Sequence, residues 1–239
     1  MMTHAPTPVG GRPALRRALR DEVFDVLLEK IAGGQVEPDA PLGIDPLAAE
    51  LGVSPTPVRE ALVQLEGTGL VVRTALRGYR VAPPLSREAL DELFDARRII
   101  EVGAARLAVG APGLLPTLRR LQADHVTWAE ELQRSAEEPP RAVLNEYLRA
   151  DWAFHQAILE AASNRFLSQM AQHMSTHGQR LRQFLDTQHT DADLAVAEHA
   201  EILAAFETGE ADAAVEAMSR HIDAVHARAV EDFGNGRQA

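Results

Sequence analysis

Apolar residues recur along this chain at helical spacing, and the points where the pattern stops divide it into two unlike parts. The first periodic run begins near Ala14, with Leu15, Leu19, Val23, Val26, Leu27 and Ile31 lying three or four residues apart. Gly33-Gly34 ends it. Asp45-Pro46 reads as a cap followed by proline at the first helical position, which predicts a short helix to Leu51. Gly52 permits a tight turn. Ser54 or Thr56 then caps a second helix, whose prolines 55 and 57 are confined to its first turn, and Gly67–Gly69 ends it. A β-branched run follows: Leu70-Val71-Val72-Arg73 and Gly78-Tyr79-Arg80-Val81 predict a β-hairpin, closed by Pro83-Pro84.

Beyond Ser86 no strand pattern remains. Helical patterns cover about 87–109, 114–134, 141–162, 164–188, 191–207 and 210–232. They break at Pro112-Gly113, Glu138-Pro139-Pro140, Ser163-Asn164, Thr190-Asp191 and Thr208-Gly209. The expected fold class is mainly α: an N-terminal winged helix-turn-helix and a C-terminal all-α bundle of six or seven helices. The expected boundaries are a disordered tail over 1–13, a DNA-binding domain over 14–84, a helical domain over 85–233 and a second tail over 234–239. There is no internal repeat.

Charge sharpens this division. The whole chain of 239 residues carries a formal −11, which by itself argues against a DNA binder. Residues 1–84, however, hold nine Lys and Arg against ten Asp and Glu, a net −1. Residues 85–239 hold 15 against 25, a net −10. An acidic second domain cannot lie against phosphates, so any nucleic-acid contact must come from local clustering in the first. The absence of cysteine excludes disulfides and thiolate metal sites. The start, MMTHAPTPVGGRP, lacks an apolar signal-peptide region, and no apolar run approaches the roughly 18 residues of a membrane helix. A cytoplasmic location is expected.

A recognition helix presents short polar and basic side chains at its N-terminal end, where it enters the major groove. Ser54, Thr56 and Arg59 meet that need, with Arg59 able to reach a guanine edge or a phosphate. Ala61, Leu62 and Leu65 form the opposite, buried face. The hairpin offers Arg73, Arg77 and Arg80, and Gly78 allows close approach. This block, with its GVSPTPVREAL, LEGTGLV and RGYRV, resembles the N-terminal domain of the GntR family of bacterial transcription regulators over about residues 14–82. Three positions depart from the family pattern. Asp45 stands where a basic residue is common, Pro55 where arginine is frequent, and Asp39 where glycine is usual. The first two changes each remove an expected DNA contact. The third is expected to affect only a turn.

The second part is rich in histidine. His155 lies four residues after Asp151, so both share one helix face. His199 and His221 fall on the last two helices. Three imidazoles and a carboxylate converging from three helices suit a divalent metal, although an Asp–His pair at this spacing is also an ordinary helix-surface ion pair. His173 and His177 form another such pair, read as a solvated face, and Trp128 and Trp152 as core or interface residues.

ELFDARRIIEVGAARLA, DWAFHQAILEAASNRFL and EHAEILAAFETGEADAAVEAMSRHI are similar to the FCD-type ligand-binding domain of the FadR subfamily. That resemblance implies Asp151, His155, His199 and His221 as metal ligands. The ion would be zinc first, with nickel, manganese or iron as alternatives. It also implies that Arg97 grips an effector carboxylate and that Asn164 caps a helix or lines the pocket edge. The fatty-acyl-CoA-binding member of the subfamily lacks this ligand set, so its acyl-CoA is not carried over. Four protein ligands leave open positions on an octahedral ion, and a local charge of about +1 attracts a small organic acid.

These readings predict a homodimeric, non-enzymatic transcription regulator, expected to be a repressor. It would bind double-stranded DNA at an inverted-repeat operator and respond to a small carboxylate effector at the metal. Two other readings remain at this point. A metal-dependent hydrolase would use the open site to activate water, against the lack of HExxH and of a positioned base. A metal sensor would take the ion itself as its signal.

Overall fold

A computed structural model describes residues 11–32, 34–134, 140–171 and 191–235. The chain separates into two compact units, Met1–Pro83 and Pro84–Ala239. The structure is mostly helical with one small sheet. Among the described residues no helix is long and apolar enough to cross a membrane.

The first unit contains α1 (Gly11–Ala32), β1 (Pro41–Leu42), α2 (Ile44–Leu51), α3 (Pro55–Gly67), β2 (Val71–Thr74) and β3 (Gly78–Val81). Its core forms where the i,i+4 row Val23, Leu27 and Ile31 of α1 meets Val58, Ala61, Leu62 and Leu65 of α3, with Leu70 just before β2 and Val71, Tyr79 and Val81 of the sheet completing it. α1 opens at Gly11, three residues inside the stretch expected to be a tail. β1 was not foreseen. It pairs antiparallel with β3, making a three-stranded sheet of order β1-β3-β2, in which Val71 faces Val81 and Thr74 faces Gly78.

The start of α2 also differs from expectation. Gly43 is its cap and Asp45 lies inside its first turn, so Pro46 is the third helical residue rather than the first. Proline is tolerated there because the early N–H groups have no partner within the helix. Gly52 ends α2 at φ 65°, a left-handed conformation that needs glycine at this tight turn.

The second unit contains α4 (Arg87–Ala108), α5 (Leu114–Arg134) and α6 (Arg141–Ala161). A helix described over 165–171, α7, follows. It is succeeded by α8 (Ala192–Thr208) and α9 (Ala211–Asn235). Ser86 caps α4 by accepting from the Ala89 N–H at 3.1 Å. Asn164 caps α7 through bonds from the N–H groups of Phe166 and Leu167 at 3.1 and 3.4 Å. α9 runs to Asn235, past the expected boundary of the C-terminal tail. His173, His177 and the rest of the pattern expected over 164–188 lie outside the described residues. Leu90 and Phe94 of α4, Leu118 of α5, Phe154 and Ile158 of α6, Ile202 and Phe206 of α8, and Met218 and Ile222 of α9 form one core.

Candidate nucleic-acid interface and metal centre

In the first unit one face of α3 is apolar and buried, and Arg59, Arg73 and Arg77 are exposed. Leu62 and Leu65 are fully buried, whereas Ser54, Thr56 and Arg59 are exposed on the other side of α3. Ser54 takes the cap position of α3 without a side-chain bond to the helix. Arg59, Arg73, Arg77 and Gly78 line one cleft of about 580 Å³, together with Val63, Tyr79 and the segment Pro41–Asp45. The cleft thus runs between α3 and the β2–β3 hairpin, and three cations converge on it. Asp45 lines it as well, an acid in a surface that otherwise suits phosphate.

Arg80 has a different environment. Its Nε donates to Asp39 Oδ1 at 2.8 Å, and the Arg80 hydrogen bond is the main cause that holds the Asp39 carboxyl below its ordinary pKa. Asp39 sits at φ 61°, a left-handed conformation that favours glycine. Its effect therefore extends past the turn: it occupies one of the arginines assigned to DNA.

In the second unit the chemistry is inside. Arg97, Glu101, Gln122, His125, Asp151, His155, His199 and His221 are all buried. His155 comes from α6, His199 from α8 and His221 from α9, because each occupies a core-facing position of its helix. Their donor atoms fall within 4.8 Å of one another, and the Nε2 atoms of His155 and His199 are 3.1 Å apart. Asp151 belongs to a second group, with His199 and His125, that meets the same limit. Asp151 Oδ1 is 3.7 Å from His199 Nε2 and 3.8 Å from His125 Nε2. All four residues named from the sequence therefore gather in one region, with His199 as the link.

Two carboxylates stand against the outer nitrogens of two histidines, and the one at His221 is a hydrogen bond. Glu101 Oε2 stands 2.8 Å from His155 Nδ1, and Glu198 Oε2 stands 2.8 Å from His221 Nδ1. Each pairing turns Nδ1 outward and leaves Nε2 for the centre, the arrangement that orients histidine ligands around metals. His221 Nε2 is buried without a hydrogen-bond partner among the described residues. A buried lone pair in that condition is costly unless something occupies it. Together with the 3.1 Å spacing, which is a hydrogen-bond distance between the two rings and also the separation of two ligands on one ion, this fits a metal. Two nitrogens each ~2.1 Å from one ion and at right angles around it are about 3.0 Å apart.

The supporting carboxylates are themselves held. Arg97 Nε donates to Glu101 Oε1 at 2.7 Å, and the Arg97 guanidinium lies 5.4 Å from the Phe94 ring centroid. Burial alone would raise the Glu101 pKa, but Arg97 and His155 outweigh it and hold the group well below the usual range. Arg228 donates twice to Glu198, at 2.6 and 2.9 Å, and also reaches Asp191 at 3.4 Å. Burial pushes His199 well below the ordinary imidazole value and His221 down to about 4. These two rings are neutral at pH 7, the form that binds metal.

Sequence reasoning missed three of these residues. Glu198 and Glu101 give no spacing signal with the histidines they face. His125 has no other histidine or carboxylate three or four positions away on α5. Arg97 is buried and paired rather than open, and Asn164 is a helix cap. Trp128 and Trp152 are partly buried against the smaller hydrophobic clusters of this unit.

Comparison with known proteins agrees with both units. Residues 19–81 match the model for bacterial regulatory proteins of the gntR family, and residues 92–224 match the FCD domain. The chain is 31% identical over 157 residues to the HTH-type transcriptional repressor GlaR of Escherichia coli, a match that covers 65% of this chain and 69% of that protein. It is 29% identical to a probable D-xylose utilization operon transcriptional repressor of Paenarthrobacter nicotinovorans, covering 87% and 88%. It is 28% identical to the regulator LutR of Bacillus subtilis, covering 80% and 92%. Among solved structures, E. coli McbR/YncC shares the fold with a TM-score of 0.73 at 20% identity, over 90% of this chain and 98% of that one. With a DNA-reading unit of one model and a helical unit of the other, the chain belongs to the GntR family of transcription regulators, in the group that carries an FCD domain.

Proposed function

We propose that this regulator is a homodimeric repressor whose affinity for an inverted-repeat operator is set by a small carboxylate bound at a divalent metal in the helical unit. The observation that carries the reading is the buried set of three imidazoles, with two Nδ1 atoms facing carboxylates and Nε2 of His221 unpartnered. Asp151, His155, His199 and His221 are the ligands in this proposal. Three nitrogens and one oxygen suit zinc first, and also nickel, manganese or iron(II). When bound, the ion supplies local positive charge for a chelating acid such as a hydroxy-carboxylate.

The chain's own residues complete that pocket. Glu101 takes the Nε–H of Arg97, and the terminal N–H groups of the same guanidinium are the carboxylate grip in this reading. Asn164, by capping α7, fixes the edge where that helix begins. Arg59, Arg73, Arg77 and Gly78 read the operator from the cleft they line, with Ser54 and Thr56 at the tip of α3. Arg80 contacts phosphate only where Asp39 releases it. Repressor names among the relatives support the sign of regulation.

The test is a gel-shift with the full chain on the promoter of its own or a neighbouring gene, at several salt concentrations, with metal and a panel of hydroxy-acids. Specific retardation relieved by one acid only in the presence of metal is expected. Absence of specific retardation at every salt concentration would sink the reading. Retardation that responds to metal alone would make the ion the signal.

A further inference from the structure

His125 is the buried histidine that no sequence spacing singles out. It stands on α5, fully enclosed, with its ring centroid 4.7 Å from that of His199. Its Nε2 lies 3.8 Å from Asp151 Oδ1, and the same oxygen lies 3.7 Å from His199 Nε2. Both distances exceed hydrogen-bond length. They match the edges of a coordination shell: donors ~2.1 Å from a shared ion are about 3.0 Å apart at a right angle and about 4.2 Å apart when opposite. The three donors all fall within 4.8 Å of one another.

We propose that His125, Asp151 and His199 form a second seat for a divalent ion, overlapping the one made by Asp151, His155, His199 and His221. The proposal rests on the reading that the helical unit binds a metal. His199 is common to both groups, and its Nε2 has a single lone pair, so it binds one ion at a time. The seats therefore exclude each other, and each chain holds one ion. Their chemistry differs. The seat with His155 and His221 is dominated by imidazole and suits zinc. The His125 seat has two imidazoles and a carboxylate, leaves more positions for water, and suits the harder manganese(II). Which ion is present would then decide whether His125 or the His155–His221 pair is engaged.

The experiment uses the whole 239-residue chain, stripped with a chelator and reloaded with Mn²⁺ alone or Zn²⁺ alone. Stoichiometry is read by elemental analysis, and affinity by competition and by Mn²⁺ electron paramagnetic resonance. Wild type should take one ion of either kind. His125→Gln should lose Mn²⁺ affinity by at least the roughly 10- to 100-fold that losing an outer-shell partner costs, with Zn²⁺ affinity nearly unchanged. His221→Gln should do the reverse. His125→Asp, which puts an anionic carboxylate oxygen in place of the lost imidazole nitrogen, should recover Mn²⁺ binding. Retained Zn²⁺ binding by His125→Gln serves as its folding control. Equal losses of both ions in His125→Gln, or no loss of either, would overturn the second seat while leaving the metal reading intact. Two ions bound at once would overturn the exclusion. A wild type that binds neither ion would overturn both proposals.

Discussion

The two units of this chain place their polar chemistry on opposite sides of their cores. In the first, every buried core residue of the main cluster is apolar, and Arg59, Arg73 and Arg77 reach outward around a cleft. Among the described residues of the second, eight polar or charged ones are buried, five of them histidines or the aspartate of one centre. A surface that meets phosphate can stay hydrated until binding, so it needs no internal support. A buried carboxylate or imidazole loses its water on folding and must be compensated by partners. The second unit provides them in two parallel chains, Arg97–Glu101–His155 and Arg228–Glu198–His221. That investment in buried polarity is what a binding centre requires and a packing core does not.

The contrast can be broken from either side. The largest effect should come from Leu62→Ala, which empties a fully buried site in the first core and should cost about 2–5 kcal/mol. Operator binding should fall with it while metal content stays normal, since the second unit has its own core. Calorimetry and elemental analysis on the same sample would check both halves of this expectation.

Acid should act on the second unit instead. In metal-free protein, burial pushes the His221 pKa down to about 4. The unfolded chain takes up a proton near the ordinary value of about 6.5, whereas the folded one does so only near 4. Stability is therefore complete above the higher value and falls as pH drops through this window, by about 3 kcal/mol from this group alone. Denaturant midpoints measured in chelator at several pH values would show it. A flat profile would mean that the imidazole is not shielded as described.

Removing the support of one histidine should have a smaller and more selective effect. Glu198→Gln leaves every assigned ligand in place but weakens the hold on His221 Nδ1, and should lower metal affinity roughly 10- to 100-fold. Operator binding of the effector-free protein should change far less. Arg59→Ala is the converse. It should weaken operator binding by about 1–3 kcal/mol without altering metal uptake or thermal stability.

Much of this arrangement was legible in the chain before its structure. The helices α4, α5, α6, α8 and α9 lie within a few residues of their apolar patterns, because long amphipathic runs ended by Pro, Gly or Asn carry a strong signal. The gathering of Asp151, His155, His199 and His221 was legible from motif resemblance. What escaped lies in pairings between distant segments. β1 is only two residues long, too short to show alternation, and exists because β3 offers it an edge. Gly43 rather than Asp45 caps α2, since a proline three residues into a helix is as tolerable as one at its start. Glu198 is adjacent in sequence to His199 yet serves His221, a partner on another helix. His125 has no companion at i±4 and meets Asp151 only through the packing of α5 against α6 and α8. Asp39, read as a turn residue, holds Arg80 through a contact 41 positions away.

The central claim is that the buried histidine centre governs the exposed DNA reader. It is tested most directly by fluorescence anisotropy on operator DNA with zinc-loaded wild type and His199→Ala, each titrated with a chelating hydroxy-acid that binds wild type in a thermal-shift screen. The account predicts that wild type releases DNA as the acid saturates, whereas His199→Ala binds DNA normally and does not respond. An identical response from both proteins would contradict it.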